Sequence, residues 1–161
     1  MGIAGVLFAM MTGVTTVRAD LSDLPAQFME RYGKEAKTET GRKPRVVIRE
    51  YQKNDIHVRV AFVGDRAQHV RYFRPEGHFS LKEMKTILDA NKGVSGDWAI
   101  IKVKENQEPR LKGEGRQWRR QDNAEAFADL VKVGHAGDKD TAVKSLTIVT
   151  DQWLKSADNR F

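Results

Sequence analysis

Between residues 55 and 63 the chain alternates apolar and polar side chains, and this alternation constrains the fold more than any other stretch. The apolar positions are Ile56, Val58, Val60 and Phe62, with His57, Arg59 and Ala61 between them. A period of two is typical of a β-strand that buries one face. The stretch therefore predicts a strand whose backbone is paired with neighbours and whose apolar face is covered.

Two further strand signals flank this stretch at short distances. Residues 45–52 contain Val46, Val47, Ile48 and Tyr51, and residues 67–74 place Val70 and Tyr72 on one face. The connections, Lys53-Asn54-Asp55 and Gly64-Asp65, are short and rich in residues that favour turns. We expect an antiparallel meander of three strands.

Residues 80–91 carry the strongest helix signal. Pro75-Glu76-Gly77 ends the third strand, and Ser80 and Glu83 have the spacing of a capping box. Phe79 and Met84 occupy the positions of a hydrophobic staple, and Asn91-Lys92-Gly93 is a suitable helix end. One helical face carries Leu81, Met84, Ile87 and Leu88. This apolar stripe is expected to rest on the apolar face of the meander.

A shorter helix is predicted on the N-terminal side. Ser22 or Asp23 would cap it, Pro25 fits its first turn and Gly33 suits its end, while Leu24, Phe28 and Tyr32 recur every fourth residue. Residues 34–44 are charged and lack large apolar side chains. We expect them to form a loop or linker that separates this helix from the body.

The C-terminal half alternates extended segments with turns. Strands are predicted at residues 98–104, 116–121 and 145–150, with a turn at 112–115, a polar loop at 134–144 and a short helical or extended tail at 151–157. Residues 124–132 fit either a helix capped at Asp122 or a strand that follows a hairpin turn at Asp122-Asn123. The hairpin is favoured because the preceding segment is already extended.

Together these elements predict an α+β fold. It consists of an antiparallel sheet of about six or seven strands, one principal helix packed on a face and a short N-terminal helix. The organisation expected is a secretory signal peptide at residues 1–19, a short helix and charged linker at 20–44, and a single α+β domain at 45–161. The segments at 70–74 and 116–120 resemble each other faintly, but their similarity is too brief to define a repeat.

The first nineteen residues have the pattern of an export signal. Residues 2–11 are small and apolar, and the polar stretch that follows ends in Val17-Arg18-Ala19, with small residues where a signal peptidase requires them. Residues 2–17 are shorter than the ~20 apolar residues of a spanning helix. A cleaved signal is favoured over an uncleaved anchor or an ordinary first helix. The expected location is periplasmic or extracellular, with no stable membrane span after removal of the signal.

Composition excludes several classes of activity. The chain has no cysteine, so disulfides, thiolate catalysis and cysteine-based zinc sites are all excluded, and burial must supply the stability. The formal charge is +6 and falls to +5 without residues 1–19, because Arg18 is the only charged side chain there. A basic chain attracts anionic partners, although here Lys and Arg alternate with Asp and Glu.

Interleaved aromatic and basic residues form the main candidate for a binding site. Aromatic rings stack on bases, and guanidinium groups pair with phosphates. The candidate residues are Arg71, Tyr72, Arg74, Trp118, Arg119 and Arg120. Neighbours in a strand point to opposite faces, so a core role for one aromatic residue in each segment is the competing interpretation.

No metal site, cofactor or catalytic group is predicted. His57, His69, His78 and His135 lack the close spacing of metal ligands, although His57 and His69 lie on successive strands and would need a third ligand such as His78 or Asp65. No serine lies in a nucleophile-elbow motif. Glu76 paired with Glu83 or Asp89 would offer two carboxylates, but the capping box already uses Glu83.

The favoured hypothesis is an exported, non-catalytic interaction module that binds another protein of the cell envelope or outside the cell. A sheet with a helix on one face offers a second face and two edges for strand addition. Two alternatives stay open: a protein that binds polyanions, such as nucleic acid or an anionic envelope polymer, and a small secreted hydrolase.

Overall fold

The computed structural model of the chain describes residues 21–41, 45–92, 96–101, 115–132 and 141–156. The helices are α1 (Pro25–Tyr32), α2 (Leu81–Ala90) and α3 (Asp151–Lys155). The strands are β1 (Lys37–Thr40), β2 (Val46–Lys53), β3 (Ile56–Val63), β4 (Arg66–Phe73), β5 (Ala99–Ile100), β6 (Gly115–Arg119), β7 (Glu125–Lys132) and β8 (Thr141–Val149). None of the described helices is long and apolar enough to cross a membrane.

All eight strands form one antiparallel sheet in the order β1-β2-β3-β4-β8-β7-β6-β5. The predicted α+β class is confirmed, but the sheet has one or two strands more than expected. The prediction of a loop over residues 34–44 is wrong at Lys37–Thr40, which pairs with β2 as an edge strand. The side chains of β1 are polar and mostly exposed, so its sequence carries no apolar alternation.

A row of fully buried side chains marks the middle of the sheet's covered face. Tyr51, Val58, Tyr72 and Leu146 lie directly opposite one another on four neighbouring strands. The Phe28 ring of α1 stacks on Tyr51 with the ring centroids 5.6 Å apart, and α2 contacts the same row through Asn91 and Tyr72. The helices α1 and α2 therefore cover this face, called here the helix face. The opposite side is called the open face, and of the described helices only the short α3 contacts it, through Trp153 and His69.

The helix α1 packs on the sheet rather than standing apart from it. Phe28 is completely buried among the rings of Tyr32, Tyr51 and Phe62. The predicted end at Gly33 is confirmed, with φ of +84°. The predicted caps Ser22 and Asp23 are wrong, because Leu24 occupies the N-cap position.

The N-terminus of α1 is closed by a glutamine instead of a capping serine or aspartate. The Leu24 N–H donates to Gln27 Oε1 at 2.7 Å. Asp23 instead forms an ion pair with Arg31 one helix length away. This ion pair ties the entry of the helix to its last turn.

The capping box of α2 is confirmed. The Glu83 N–H donates to Ser80 Oγ at 3.2 Å, and the Ser80 N–H donates to Glu83 Oε2 at 2.8 Å. Of the predicted apolar stripe, Met84, Ile87 and Leu88 are buried, whereas Leu81 remains 36% exposed.

Residues 125–132 form the strand that the hairpin interpretation favoured. The connection has three residues rather than the two expected: Asn123 N–H donates to Arg120 O at 3.0 Å, and Arg120 N–H donates to Ala124 O at 2.9 Å. Asn123 adopts φ of +61°, which this kind of loop requires at its last position. The extra residue, Gln121, joins the turn instead of the strand.

Several predicted segments extend beyond the described residues. These are the leader at 1–19, the turn residues 112–114 and the end of the predicted strand at 102–104. The polar loop expected at 134–144 is wrong over its last four residues, because β8 begins at Thr141. The tail at 151–157 is helical as far as Lys155.

The sheet consists of two halves with the same architecture. Among the described residues, each half is a helix followed by four antiparallel strands, α1-β1-β2-β3-β4 and α2-β5-β6-β7-β8. The halves join through antiparallel pairing of β4 with β8, in which Arg71 lies opposite Thr147. The faint sequence echo is unrelated to this repeat, since its two segments lie in β4 and β6, which are not corresponding strands.

Two local irregularities recur at matching places in both halves. The pairing register skips Gln68 in β4 and Lys144 in β8, so each half has a bulge in its fourth strand. The residue just before each bulge also holds the chain that enters the helix. Ala67 exchanges hydrogen bonds with Ser22 and Asp23, and Val143 exchanges two with Phe79. These shared features establish which residues of the two halves correspond.

Candidate functional site

The structure separates the six residues predicted to bind. Arg71 and Arg119 lie on the open face, three strands apart in the sheet order. Trp118 is paired with Ala126 and lies on the helix face, as does Tyr72. The six side chains therefore do not share one surface.

Two of the six belong to the packing of the first half against α2. Tyr72 is fully buried, with its hydroxyl 3.5 Å from Asn91 Oδ1. The Arg74 guanidinium contacts Asp55 at 2.7 Å and Glu83 at 2.8 Å, and lies 4.7 Å from the centre of the Phe79 ring. Arg74 thereby joins the β2–β3 turn to the start of α2.

The arginines on the open face differ in their partners. Arg119 donates to the buried carboxylate of Glu125 at 2.6 Å, and Gln117 donates to the other oxygen of that carboxylate. Arg71 lies beside the Phe73 ring at 5.7 Å and reaches Ser145 Oγ at 3.5 Å. Within the described ranges no carboxylate pairs with Arg71.

Arg120 is a buried structural connection. Its guanidinium donates to both Asp122 oxygens, at 2.9 and 2.6 Å, and to the Asn91 carbonyl at 2.7 Å. It also lies 5.3 Å from the centre of the Trp98 ring. Arg120 thus fixes the end of α2 to the β6–β7 hairpin and holds Trp98 in place.

A groove of about 520 Å³ lies between α2 and the outer strands β5 and β6. Its volume falls within the ~300–1,000 Å³ of ligand-binding clefts. Trp118 is buried, while Trp98 is held by a 3.0 Å hydrogen bond from its Nε1 to the Leu88 carbonyl. The groove is lined by Leu81, Met84, Lys85, Leu88, Asp89, Lys92, Asp97, Trp98, Ile100, Arg116 and Trp118.

Most of the charges around the groove are already neutralised by one another. Lys85 donates to Asp89 at 2.6 Å, a contact that is the main cause of the lowered Asp89 pKa. Lys92 contacts Asp97 at 2.6 Å, and this hydrogen bond is the main cause of the raised Lys92 pKa. Arg116 is exposed and forms no ion pair with any residue that the structure describes. Of the cations that line the groove in the described part of the chain, Arg116 is the one without an acidic partner.

The groove opens onto a free sheet edge. Ile101 N–H donates to Gln117 O at 2.9 Å, so the N–H and C=O of the preceding residue, Ile100, point away from β6. No other described strand pairs with β5 on that side. The Ile100 side chain is 67% exposed. An apolar residue is therefore presented beside outward-facing backbone donors and acceptors.

The opposite edge of the sheet is chemically different. The outer strand β1 carries Lys37 and Glu39, which pair with each other. Charged side chains on an edge strand oppose the addition of a further strand. The two edges are thus distinguished by their side chains, and β5 is the edge without charged residues.

The histidines on successive strands do not meet. His57 lies opposite Phe73 and contacts Glu50 at 2.9 Å, whereas His69 lies opposite Ala61 and near Trp153. No group of three or more potential ligands among the described His, Asp and Glu residues is arranged to hold a metal ion. His135 lies outside the described residues.

One of the carboxylates predicted as a partner of Glu76, that of Glu83, is held in its ionised form. Hydrogen bonds from Arg74 and from the Ser80 backbone lower the pKa of Glu83 to about 2. A general acid near neutral pH requires a raised pKa instead. Glu83 therefore serves the helix cap and the Arg74 contact.

The described residues have an α+β fold in which a groove opens onto the β5 edge of the sheet. No protein-family model matches the chain, and no curated protein matches its sequence. Among solved structures, a cysteine-rich secretory protein from Staphylococcus aureus has a similar fold, with a TM-score of 0.51 and 11% sequence identity. The similarity covers 83% of this chain but 46% of the other, so this chain spans less than half the length of that protein. The likeness concerns the fold alone.

The sequence interpretation identified Trp118 but missed the groove around it. Met84 and Leu88 were assigned to the core, which is correct, yet they also line the groove. The missed signal was the run of uncharged residues Trp98-Ala99-Ile100-Ile101, of which Ala99 and Ile100 form the edge strand.

Proposed function

We propose that this chain is an exported, non-catalytic binding module that captures an extended segment of a partner protein. The segment adds as a strand along β5 and places alternate side chains in the groove under α2. The observation that carries the proposal is the outward-facing backbone of Ile100 directly beside the groove.

Strand addition explains two features together. Main-chain hydrogen bonds to an edge supply affinity, and a neighbouring pocket selects side chains. The exposed apolar surface of Ile100 and Leu81 would be covered by such a segment. Export is supported by the pattern of residues 1–19.

The test is a proline substitution at the edge. In Ile100→Pro the lost N–H points away from β6, so the internal ladder keeps its hydrogen bonds while an added strand loses a donor. The purified protein is first panned against a random linear peptide library. We expect the selected peptides to bind Ile100→Pro at least about tenfold more weakly, which corresponds to roughly 1.4 kcal/mol.

The matched control is Thr38→Pro on the opposite edge. The Gly41 to Val46 hydrogen bond fixes the alternation in β1, so the Thr38 N–H also points away from the sheet. This variant should bind the peptides as the unmodified protein does. Far-UV circular dichroism checks that both variants keep the fold.

Three results would contradict the proposal: no peptide selected, no weakening of binding by Ile100→Pro, or equal weakening by both proline variants. Binding of single-stranded DNA that moderate salt abolishes and that Ile100→Pro leaves unchanged would favour the polyanion alternative. The distribution of the predicted arginines over two faces argues against that outcome.

A further inference from the structure

We infer that the captured segment carries a large apolar or aromatic side chain together with a nearby carboxylate, an acidic peptide rather than a basic or purely polar one. This inference rests on the proposed function and specifies its partner. It follows from comparing the two halves of the molecule at corresponding positions.

The correspondence is fixed by the shared bulges. Ala67 in β4 corresponds to Val143 in β8, because each precedes the bulge of its half. When the strand pairing is followed from these residues across each half, Tyr51 in β2 corresponds to Trp118 in β6, and Arg49 corresponds to Arg116. The residues entering the helices, Asp23 and Phe79, occupy the same place beside the bulge. Counting along the helices from there matches Phe28 with Met84 and Tyr32 with Leu88.

The two halves differ in how far their helix side chains fill the space between helix and sheet. In the first half, Phe28 packs against Tyr32, Tyr51 and Phe62 with ring centroids 5.4–6.1 Å apart, and these rings fill the space between helix and sheet. In the second half, the corresponding helix residues are the slimmer Met84 and Leu88, and the groove lies beside them. An aromatic or large apolar side chain from outside would occupy the space that the first half fills with its own rings.

The two halves also differ in the ionic partner of the corresponding arginines, Arg49 and Arg116. Arg49 pairs with Glu35, which precedes β1, at 3.6 Å. Its counterpart Arg116 has no such partner within the described segments, because Asp97 contacts Lys92 and the residues of β5 are Ala99 and Ile100. The added strand would pair with β5 and so lie one strand further from Arg116 than Glu35 lies from Arg49, but β5 is only two residues long and the arginine side chain is exposed. A carboxylate on the added segment that reaches past β5 would give Arg116 the ionic partner that Arg49 has in Glu35.

The two lysines that line the groove already form ion pairs. Lys85 and Lys92 are both within 2.6 Å of an aspartate. The carboxylate on the segment is therefore expected to pair with Arg116 alone. This predicts one acidic residue near the apolar one, rather than a run of acidic residues.

The experiment uses the peptides selected from the random library and compares their amino-acid composition with that of the unselected library. Selected peptides should be enriched in an aromatic or large aliphatic residue with Asp or Glu close by. Replacing that acid by its amide should weaken binding by about threefold, in the range of an exposed ion pair. Arg116→Gln should remove this difference between the acid and the amide. The matched control, Arg49→Gln at the corresponding position, should preserve it.

A second pair of substitutions tests the volume argument. Met84→Phe with Leu88→Tyr gives the second half the helix side chains of the first, and we expect at least a tenfold loss of peptide affinity. Because larger core residues can impair folding, circular dichroism accompanies this variant, and exposed Arg116→Gln provides an independent test.

The outcomes separate the two proposals. Peptides that are selected and depend on the Ile100 edge, but show no apolar and acidic preference, would overturn this inference and leave the binding function standing. The same holds if Arg116→Gln preserves the discrimination. Selection of no peptide at all would overturn the proposed function and this inference with it.

Discussion

At the scale of single residues, His69 makes the stability of the fold sensitive to acid. It lies on the open face beneath the Trp153 ring, with Arg71 and Arg59 nearby. Burial, reinforced by Arg71, lowers its pKa from 6.5 to about 3. The folded chain therefore resists protonation of His69, while the unfolded chain takes up the proton below pH 6.5.

The free energy of unfolding should consequently fall as the pH drops from 6.5 towards 3. Between pH 6.5 and 4.5, above the range of most carboxylates, we expect a loss of about 2 kcal/mol from this residue. Guanidinium unfolding at several pH values measures it. His69→Gln should flatten the dependence in this window, and an unchanged slope in that variant would show that another group is responsible.

At the scale of elements, α2 depends on its first turn. The Ser80 hydroxyl caps the Glu83 N–H, and Glu83 in turn binds Ser80 and Arg74. Ser80→Ala should lower the free energy of unfolding by about 1 kcal/mol, because a backbone donor loses its partner. Urea unfolding measures the change. Lys82→Ala, at an exposed position of the same turn, is the control; a similar loss in both variants would argue against a capping effect.

The Glu83 contacts add a second dependence on pH. Its pKa is lowered to about 2, so its contribution is present above pH 4.5 and is lost as the pH falls through 2. Glu83→Gln should therefore reduce the stability difference between pH 5 and pH 2. Equal acid sensitivity of this variant and the unmodified protein in urea unfolding would contradict the assignment.

Elements with a local signal were predictable from the sequence, and elements formed by long-range pairing were not. The capping box at Ser80 and the alternation of residues 56–62 are encoded within a few positions. The strand β1 is polar and forms only because its backbone pairs with β2. The groove could not be predicted from the sequence either, because it depends on the size of Met84 and Leu88 relative to Phe28 and Tyr32 in the first half of the molecule.

At the scale of the whole molecule, the repeated architecture is also absent from the sequence. Corresponding core positions differ in residue type, as with Tyr51 and Trp118, and what these two share is burial on the helix face. Bulges and register depend on how strands pair, which the order of residues does not specify. The repeat emerges only from the pairing of β4 with β8.

That pairing should make the two halves unfold together. One continuous core contains Phe28 and Tyr51 of the first half as well as Leu88 and Trp118 of the second. Leu146 is fully buried in β8, where this strand pairs with β4 and joins the halves. Trp98 and Trp118 lie in the second half, and Trp153 lies in the tail against His69 of β4, so the fluorescence of two of the three tryptophans reports on the second half alone. Far-UV circular dichroism reports on the whole sheet. We expect the two unfolding transitions to coincide in guanidinium.

Leu146→Ala tests the junction between β4 and β8 directly. A cavity there should cost about 2–5 kcal/mol, and both transitions should shift to lower denaturant by the same amount, since neither half can keep its core when the shared strands separate. If the fluorescence transition instead moved ahead of the circular dichroism transition, the second half would unfold by itself. The groove and the β5 edge would then belong to a less stable unit, and peptide binding would be expected to bring the two transitions back together, because a ligand stabilises the state that binds it.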